Sequence, residues 1–293
     1  MVNINQIIND LVDNTIFITG NEKNAGKTTF LNLILNYLRK MVEPAYMTIG
    51  VDGEKIDAVY GNLKPRIIAK KGDWIVTTEF SFNVANFKIC EVFPFKTVFG
   101  RLVLIKCLND DFVEIIGPES NEQLKFIINY LLSLSIKTIL IDGAVNRITQ
   151  TNILHHAIIF NVIKISPKNL NTNFDKIKLF NALNNLPIIN NLTSNTFLVN
   201  GALTSLKAAN ISTKLYENIV LEDFTKMFLP FNEFLQLQNN FNIYLQNKHK
   251  KMFFIFNIKD IKIDLFIKKL AELDLSIEYI LNPFQHFHKE AVK

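Results

Sequence analysis

Cysteine is scarce in this 293-residue chain, which contains only Cys90 and Cys107. Two cysteines cannot build a disulfide framework, and they suit a reducing compartment such as the cytosol. Long hydrophobic runs are also missing, since no segment reaches the roughly 18 uninterrupted apolar residues that indicate a membrane span. The first residues lack a basic segment followed by a small-residue cleavage site, which argues against a signal peptide. We therefore expect a cytoplasmic protein without a membrane segment.

Arginine and glycine are the other scarce residues. Arginine occurs only at Arg39, Arg66, Arg101 and Arg147, so lysine supplies nearly all of the positive charge. A net charge of +5 without a long basic run is a weak argument for nucleic acid, and we expect no nucleic-acid partner. The segment Lys248-His-Lys-Lys251 is interpreted as a charged hairpin turn. Ten glycines against 25 phenylalanines exclude a collagen-like or low-complexity chain and indicate an aromatic-rich core.

Hydrophobic strands and amphipathic helices alternate along the chain. The first strand is predicted at Thr15–Thr19, followed by a helix over Phe30–Lys40, a strand over Tyr46–Gly50 and a strand over Lys137–Asp142. Further strands are predicted at 157–165, 196–199, 218–221, 241–245, 252–258 and 276–281, and further helices at 120–134, 172–184 and 262–274. This alternation predicts an α/β fold with a mostly parallel central sheet covered on both faces.

Residues 64–116 have a different sequence pattern, in which short β-rich runs are separated by turn-like segments such as Lys71-Gly-Asp73. This pattern predicts antiparallel β-hairpins inserted into the alternating fold. We expect a single domain over residues 1–293 that contains this insert, and we also consider a C-terminal subdomain at about residues 205–293.

The strongest chemical signal is Gly26-Lys27-Thr28-Thr29, which lies between the first strand and the first long helix. Backbone N–H groups at such a strand–helix turn cradle phosphate, the lysine reaches the β- and γ-phosphates, and the hydroxyl after it binds Mg²⁺. Five residues separate Gly20 from Gly26, one more than is usual, and Asn21 stands at the usual first-glycine position. The pattern predicts a P-loop NTPase that binds ATP with Mg²⁺. The candidate nucleotide-binding residues are Gly20, Lys23, Asn24, Ala25, Gly26, Lys27, Thr28 and Thr29.

Carboxylates at two predicted strand ends complete the candidate site. Asp142 follows an apolar strand, as does the aspartate that holds Mg²⁺ in P-loop proteins. Asp52 follows the second strand and either positions water or metal near the γ-phosphate or simply belongs to a turn. The candidate catalytic residues are Lys27, Asp52 and Asp142, and the candidate metal ligands are Thr28, Asp142 and Asp52. Lys23 either faces the phosphates of its own loop or crosses a dimer interface.

Several separated segments resemble the blocks of one protein family, in the same order. The segment Lys23-Asn-Ala-Gly-Lys-Thr-Thr-Phe-Leu-Asn32 is similar to the phosphate loop of the ATPase reactivase proteins that accompany lysine 5,6-aminomutase and ornithine aminomutase. The further blocks are Ile49–Glu54, Lys64–Ile67, Ile141–Ala144 with Arg147, Gly201–Thr204, Asp223–Phe228 and Leu281–Pro283. Together they span nearly the whole chain.

The resemblance implies a chaperone-like ATPase. Its partner would be an adenosylcobalamin-dependent aminomutase, and ATP would drive the exchange of damaged cobalamin for intact cofactor. It leaves open a homodimer or a partner reactivase subunit. Two other functions fit the same loop: a small-molecule kinase or ligase of the dethiobiotin-synthetase type, and a nucleotide-binding interaction protein that does not hydrolyse ATP.

Overall fold

The computed structural model describes residues 1–22, 24–49, 67–143, 157–189 and 191–282. The strands are β1 (Thr15–Gly20), β2 (Ala45–Thr48), β3 (Ile67–Ala69), β4 (Trp74–Thr78), β5 (Phe87–Thr97), β6 (Gly100–Cys107), β7 (Asp111–Val113), β8 (Ile139–Asp142), β9 (Ile158–Ile165), β10 (Thr196–Val199), β11 (Asn218–Leu221), β12 (Asn242–Leu245), β13 (Lys251–Ile258) and β14 (Glu278–Leu281). The helices are α1 (Ile4–Leu11), α2 (Lys27–Leu38), α3 (Asn121–Ser133), α4 (Leu170–Asn184), α5 (Ser205–Ala209), α6 (Phe231–Asn240) and α7 (Ile263–Ala271).

The largest sheet has nine strands in the order β14-β13-β9-β1-β8-β2-β4-β6-β5. Neighbouring strands are parallel from β14 to β4, whereas β6 is antiparallel to β4 and β5 is antiparallel to β6. The predicted α/β architecture with a mostly parallel central sheet is therefore confirmed for the described residues. The register pairs Ile18 of β1 and Thr48 of β2 with Asp142 of β8, so the carboxyl ends of these three strands meet.

Strand β1 packs against core residues on both of its faces, which explains why its central residues are all apolar. Ile16 and Ile18 belong to one buried cluster with Leu31 and Ile34 of α2. Phe17 points to the other face and belongs to a cluster with helix α3, of which Leu124, Ile127, Ile128 and Leu131 are fully buried. Alternate residues of a strand face opposite sides of the sheet, so a strand covered on both sides is apolar throughout. The predicted phosphate loop thus follows a strand that is packed between two helical layers.

The β-rich segment forms part of the central sheet. It contains the expected antiparallel hairpin, β5–β6, but β4 pairs in parallel with β2 through Ala45↔Trp74. Strands β3 and β7 form a separate two-stranded antiparallel sheet. The segment therefore extends the central sheet at one edge, rather than interrupting the fold as an inserted unit. Val103 and Ile105 of β6 are fully buried, which ties the hairpin to the main core.

The C-terminal residues divide between two sheets. Strands β10, β11 and β12 form a separate three-stranded parallel sheet. Strands β13 and β14 return to the central sheet, where β13 pairs with β9 over eight residue pairs. This arrangement brings the end of β13 close to the end of β1, with only β9 between them.

No helix within the described ranges is long and apolar enough to cross a membrane.

His249 lies in the connection between β12 and β13, where the sequence indicated a charged hairpin turn. That interpretation is wrong, because β12 and β13 belong to different sheets and the imidazole packs against Phe224, with 4.9 Å between ring centroids. Both ring nitrogens are shielded from solvent and have no hydrogen-bond partner among the described residues. Burial, with a smaller contribution from nearby Lys248, lowers the pKa of His249 from the ordinary 6.5 to about 4.

This lowered pKa predicts a loss of stability in mild acid. Between pH 6.5 and 4 the unfolded chain binds more protons at His249 than the folded chain does, so stability falls as the pH is lowered. Over this whole pH range the lowered pKa changes the free energy of unfolding by at most roughly 3 kcal/mol. We expect urea unfolding of the His249→Gln variant to lose less stability between pH 7 and pH 5 than the wild type loses. Equal losses in the two proteins would show that His249 is not the group responsible.

Candidate functional site

The predicted phosphate loop connects the carboxyl end of β1 to the amino end of α2. Gly26 is the N-cap residue of α2, with a φ of 99°, and Asn24 also has a left-handed backbone, with a φ of 57°. No side chain within the described ranges caps α2 at Gly26. Left-handed residues in such a turn direct successive N–H groups into one concave surface, and the uncapped helix start adds its own N–H groups and its dipole. The backbone is therefore suited to bind an anion.

Glycine is favoured at both predicted loop positions, for two different reasons. At Gly26 the left-handed φ disfavours any residue with a Cβ atom. At Gly20 an added Cβ would lie 2.9 Å from Cδ of Lys27, because the lysine methylenes extend back over the end of β1. Asn21, at the usual first-glycine position, does not have a positive φ, so this position does not require glycine. The unusual spacing of the loop is thus compatible with its backbone geometry.

Thr28 and Asp142 are brought together as the sequence predicted. The Thr28 hydroxyl donates to Oδ2 of Asp142 at 3.3 Å, across the gap between the first turn of α2 and the end of β8. Their chain positions are far apart, but β8 is the direct neighbour of β1, with Ile18 opposite Asp142. A hydroxyl and a carboxylate are oxygen ligands of the kind that Mg²⁺ takes, alongside phosphate oxygens and water. The donor set therefore fits this ion.

The other loop residues divide by exposure. Ala25 is fully buried in the core below the loop, whereas Asn24 and Thr29 are exposed. Lys27 and Thr28 are partly exposed, so both can reach a ligand from solvent. Lys23 and Asp52 lie outside the described residues.

Thr48 and Gly117, which the sequence did not single out, support Asp142. The Thr48 hydroxyl donates to the Asp142 carbonyl oxygen at 3.1 Å, and the Gly143 N–H donates to the Ile18 carbonyl at 2.8 Å. A side chain at Gly117 would overlap the Thr48 carbonyl, so the chain before α3 passes directly over the end of β2. These contacts fix the backbone that carries the Asp142 carboxylate.

Two asparagines, also missed from the sequence, hold the loop itself. Nδ2 of Asn257, near the end of β13, donates to the Ala25 carbonyl at 3.1 Å. Oδ1 of Asn21 accepts from the Lys164 N–H at 3.1 Å, and Nδ2 of Asn21 donates to Oδ1 of the buried Asn173 at 3.1 Å. One signal was available, since Asn257 is a polar residue within the otherwise apolar segment Met252–Ile258. Its partner could not be read from the sequence.

Two of the family-like blocks form one structural unit outside the loop. Leu203 and Met227 form a parallel bridge, with the Leu203 N–H donating to the Lys226 carbonyl at 2.7 Å. Asp223 is 4% exposed, and its Oδ1 accepts from the Thr225 N–H at 2.7 Å, which caps the short 3-10 turn Phe224–Lys226. Burial raises the pKa of Asp223. These blocks therefore have a local structural role beside the three-stranded sheet.

No group of three or more His, Cys, Asp or Glu that could hold a metal ion occurs in the part of the chain that the structure describes. Two cavities, of about 450 and 410 Å³, are lined by residues from the end of α4 and from the β12, β13 and β14 segments. Neither is lined by any of the predicted nucleotide-site residues. Comparison with known proteins gives no further guide, because no protein-family model, curated protein or solved structure matches this chain.

Proposed function

We propose that this chain is a P-loop ATPase that binds ATP with Mg²⁺ at the start of α2. The observation that carries the proposal is the 3.3 Å contact between the Thr28 hydroxyl and the Asp142 carboxylate, beside the start of α2, where the N-cap is a left-handed glycine. A pair of oxygens suited to a metal ion and a backbone suited to an anion lie at the same strand ends. Mg·ATP needs both features together. The position of both at the carboxyl edge of a parallel sheet, where α/β proteins bind ligands, adds support.

Each group of the site has a separate task in this proposal. The N–H groups at Gly26 and the first turn of α2 bind phosphate oxygens, and the Lys27 ammonium neutralises charge on the β- and γ-phosphates. Thr28 and Asp142 would hold Mg²⁺, which when bound supplies charge neutralisation at the phosphates. The hydroxyl of Thr48 keeps the Asp142 backbone in place. Asp52 would position the attacking water or the metal.

Changing the metal-facing oxygens is expected to separate metal binding from phosphate binding. Thr28→Val keeps the shape but deletes the hydroxyl, so ATP affinity measured by calorimetry should become nearly independent of Mg²⁺. Asp142→Asn should slow hydrolysis about 10- to 100-fold, with a smaller loss of nucleotide affinity, because the loop still binds the phosphates. Thr193→Val, in a loop of the three-stranded sheet, is the control. A Thr28→Val protein with an unchanged Mg²⁺ response would contradict the assigned site.

We further propose that the ATPase acts on a partner enzyme, as the family resemblance implies. Damaged cobalamin stays in an aminomutase because it is tightly held, so its release requires a state of the partner that binds it less well. ATP can stabilise that state only if the ATP-bound chain binds it preferentially. The order of the motifs from Lys23 to Pro283 supports this proposal.

Revival of an inactivated enzyme tests the partner proposal. An adenosylcobalamin-dependent aminomutase inactivated during turnover should regain activity when this chain, ATP, Mg²⁺ and fresh adenosylcobalamin are all present. Omission of any one component should prevent recovery. No recovery, together with phosphate transfer to a small acceptor, would favour a kinase of the dethiobiotin-synthetase type. Nucleotide binding without turnover would favour a non-hydrolysing interaction protein.

A further inference from the structure

We propose that Asn257 is a positioning residue for the phosphate loop, which its side-chain amide holds in the orientation that binds phosphate. The inference rests on the proposed nucleotide binding and extends it to a residue 232 positions from the loop. It concerns one peptide unit, the one that joins Ala25 to Gly26.

The contact reaches the loop from two strands away. Asn257 lies on β13, which is separated from β1 by β9, and it is paired in register with Lys164 of β9. The loop crosses the end of β9, where Asn21 accepts from the Lys164 N–H. Beyond that point Ala25 meets Asn257, with 3.1 Å between the carbonyl oxygen and Nδ2. The first half of the loop is therefore held at its entry by β9 and at its middle by β13.

The direction of the Ala25 carbonyl fixes the direction of the next N–H group. In a planar trans peptide the C=O and N–H bonds point to opposite sides, so a carbonyl turned toward Asn257 turns the Gly26 N–H away from β13. Asn24 and Gly26, on either side of Ala25, both have left-handed backbones. A reversed peptide would bring the carbonyl oxygen to the side that now carries the N–H, where it would repel phosphate. The Asn257 amide stabilises the orientation that leaves the N–H facing the ligand.

The surroundings show that the amide group is directed at the loop. Asn257 is partly exposed, whereas its neighbours Phe256 and Ile258 are buried in the core. A Cβ atom at Gly26 would lie 3.2 Å from Nδ2 of Asn257, so the loop backbone packs directly against the amide. The absence of a Cβ atom at Gly26 thus favours this close approach as well as the left-handed φ.

Asn257→Leu tests the proposal, because leucine has a similar volume but cannot donate. We expect about tenfold weaker binding of Mg·ATP by calorimetry, from the loss of one hydrogen bond and of the loop orientation it stabilises. The affinity for inorganic pyrophosphate with Mg²⁺ should fall by the same factor, because the Ala25–Gly26 peptide would contact only the phosphates of ATP. Asn257→Asp should bind more weakly still, because a carboxylate repels both the Ala25 carbonyl and the phosphates.

The melting temperature without ligand shows whether a variant weakens binding by misplacing the loop or by destabilising the fold. We expect the melting temperature of each variant to stay close to that of the wild type. Asn257→Ser is a second variant, which removes the amide without introducing a bulky apolar group. Asn242→Leu, which removes an amide from β12 in the other sheet, should leave affinity unchanged. Wild-type affinity in Asn257→Leu and Asn257→Ser would overturn this inference alone. A wild-type protein that binds neither Mg·ATP nor pyrophosphate would overturn the proposed function and the inference together.

Discussion

Replacing Lys27 with alanine is expected to weaken Mg·ATP binding about 10- to 100-fold and to abolish hydrolysis, because a charge-assisted contact to phosphate contributes about 1.5–3 kcal/mol. Lys27 is the first residue of α2, and its methylenes lie over Gly20 at the end of β1. In the proposed site the ammonium would contact the phosphates that the loop holds. Hydrolysis is expected to suffer more than binding, since negative charge shifts between the phosphate oxygens as the bond breaks.

Calorimetry and a phosphate-release assay would measure the two effects of Lys27→Ala separately. Lys40→Ala is a matched control, because Lys40 is an exposed lysine just beyond the other end of the same helix. It removes the same charge without touching the loop. If Lys27→Ala and Lys40→Ala bind and hydrolyse ATP equally well, the loop is not the nucleotide site.

Replacing Asp73 with alanine is expected to reduce the free energy of unfolding by about 3–5 kcal/mol. Asp73 is 1% exposed, and its carboxylate accepts from Nε and Nη2 of Arg39 at 3.0 and 2.6 Å. It also accepts from the Tyr46 hydroxyl at 3.0 Å and from the Lys70 N–H at 2.9 Å. Removal of the carboxylate would leave the Arg39 charge and the Tyr46 hydroxyl without their partner in a poorly solvated site. The penalty of the unpaired charge makes this effect large.

Urea unfolding would measure this loss, with Asp110→Ala as the control. Asp110 also forms an ion pair, with 2.7 Å between its Oδ2 and Nζ of Lys70, but both of these side chains are about half exposed. Exposed ion pairs contribute little, so this variant should unfold close to the wild type. Equal stability of the Asp73→Ala and Asp110→Ala proteins would show that burial does not strengthen the Asp73 cluster.

The sequence alone determined the elements that carry the candidate site. The apolar run from Thr15, the Gly-Lys-Thr turn and the amphipathic helix after it predicted β1, the loop and α2, because local periodicity and turn chemistry define all three. The same reasoning placed Asp142 at a strand end. It also gave the bounds of β10 and β11 as the structure has them. It missed α6, where polar Asn and Gln residues weaken the helical apolar pattern.

Only the tertiary structure decided which of these elements meet. The parallel pairing of β4 with β2, the return of β13 to β9 and the packing of His249 against Phe224 all depend on contacts between segments distant in the chain. A strand's sequence shows that it is buried but not which strand lies beside it. For the same reason the sequence around Asn257 did not indicate which segment its amide contacts. Its contact with Ala25 exists because β9 alone separates β13 from β1, and the fold sets that distance.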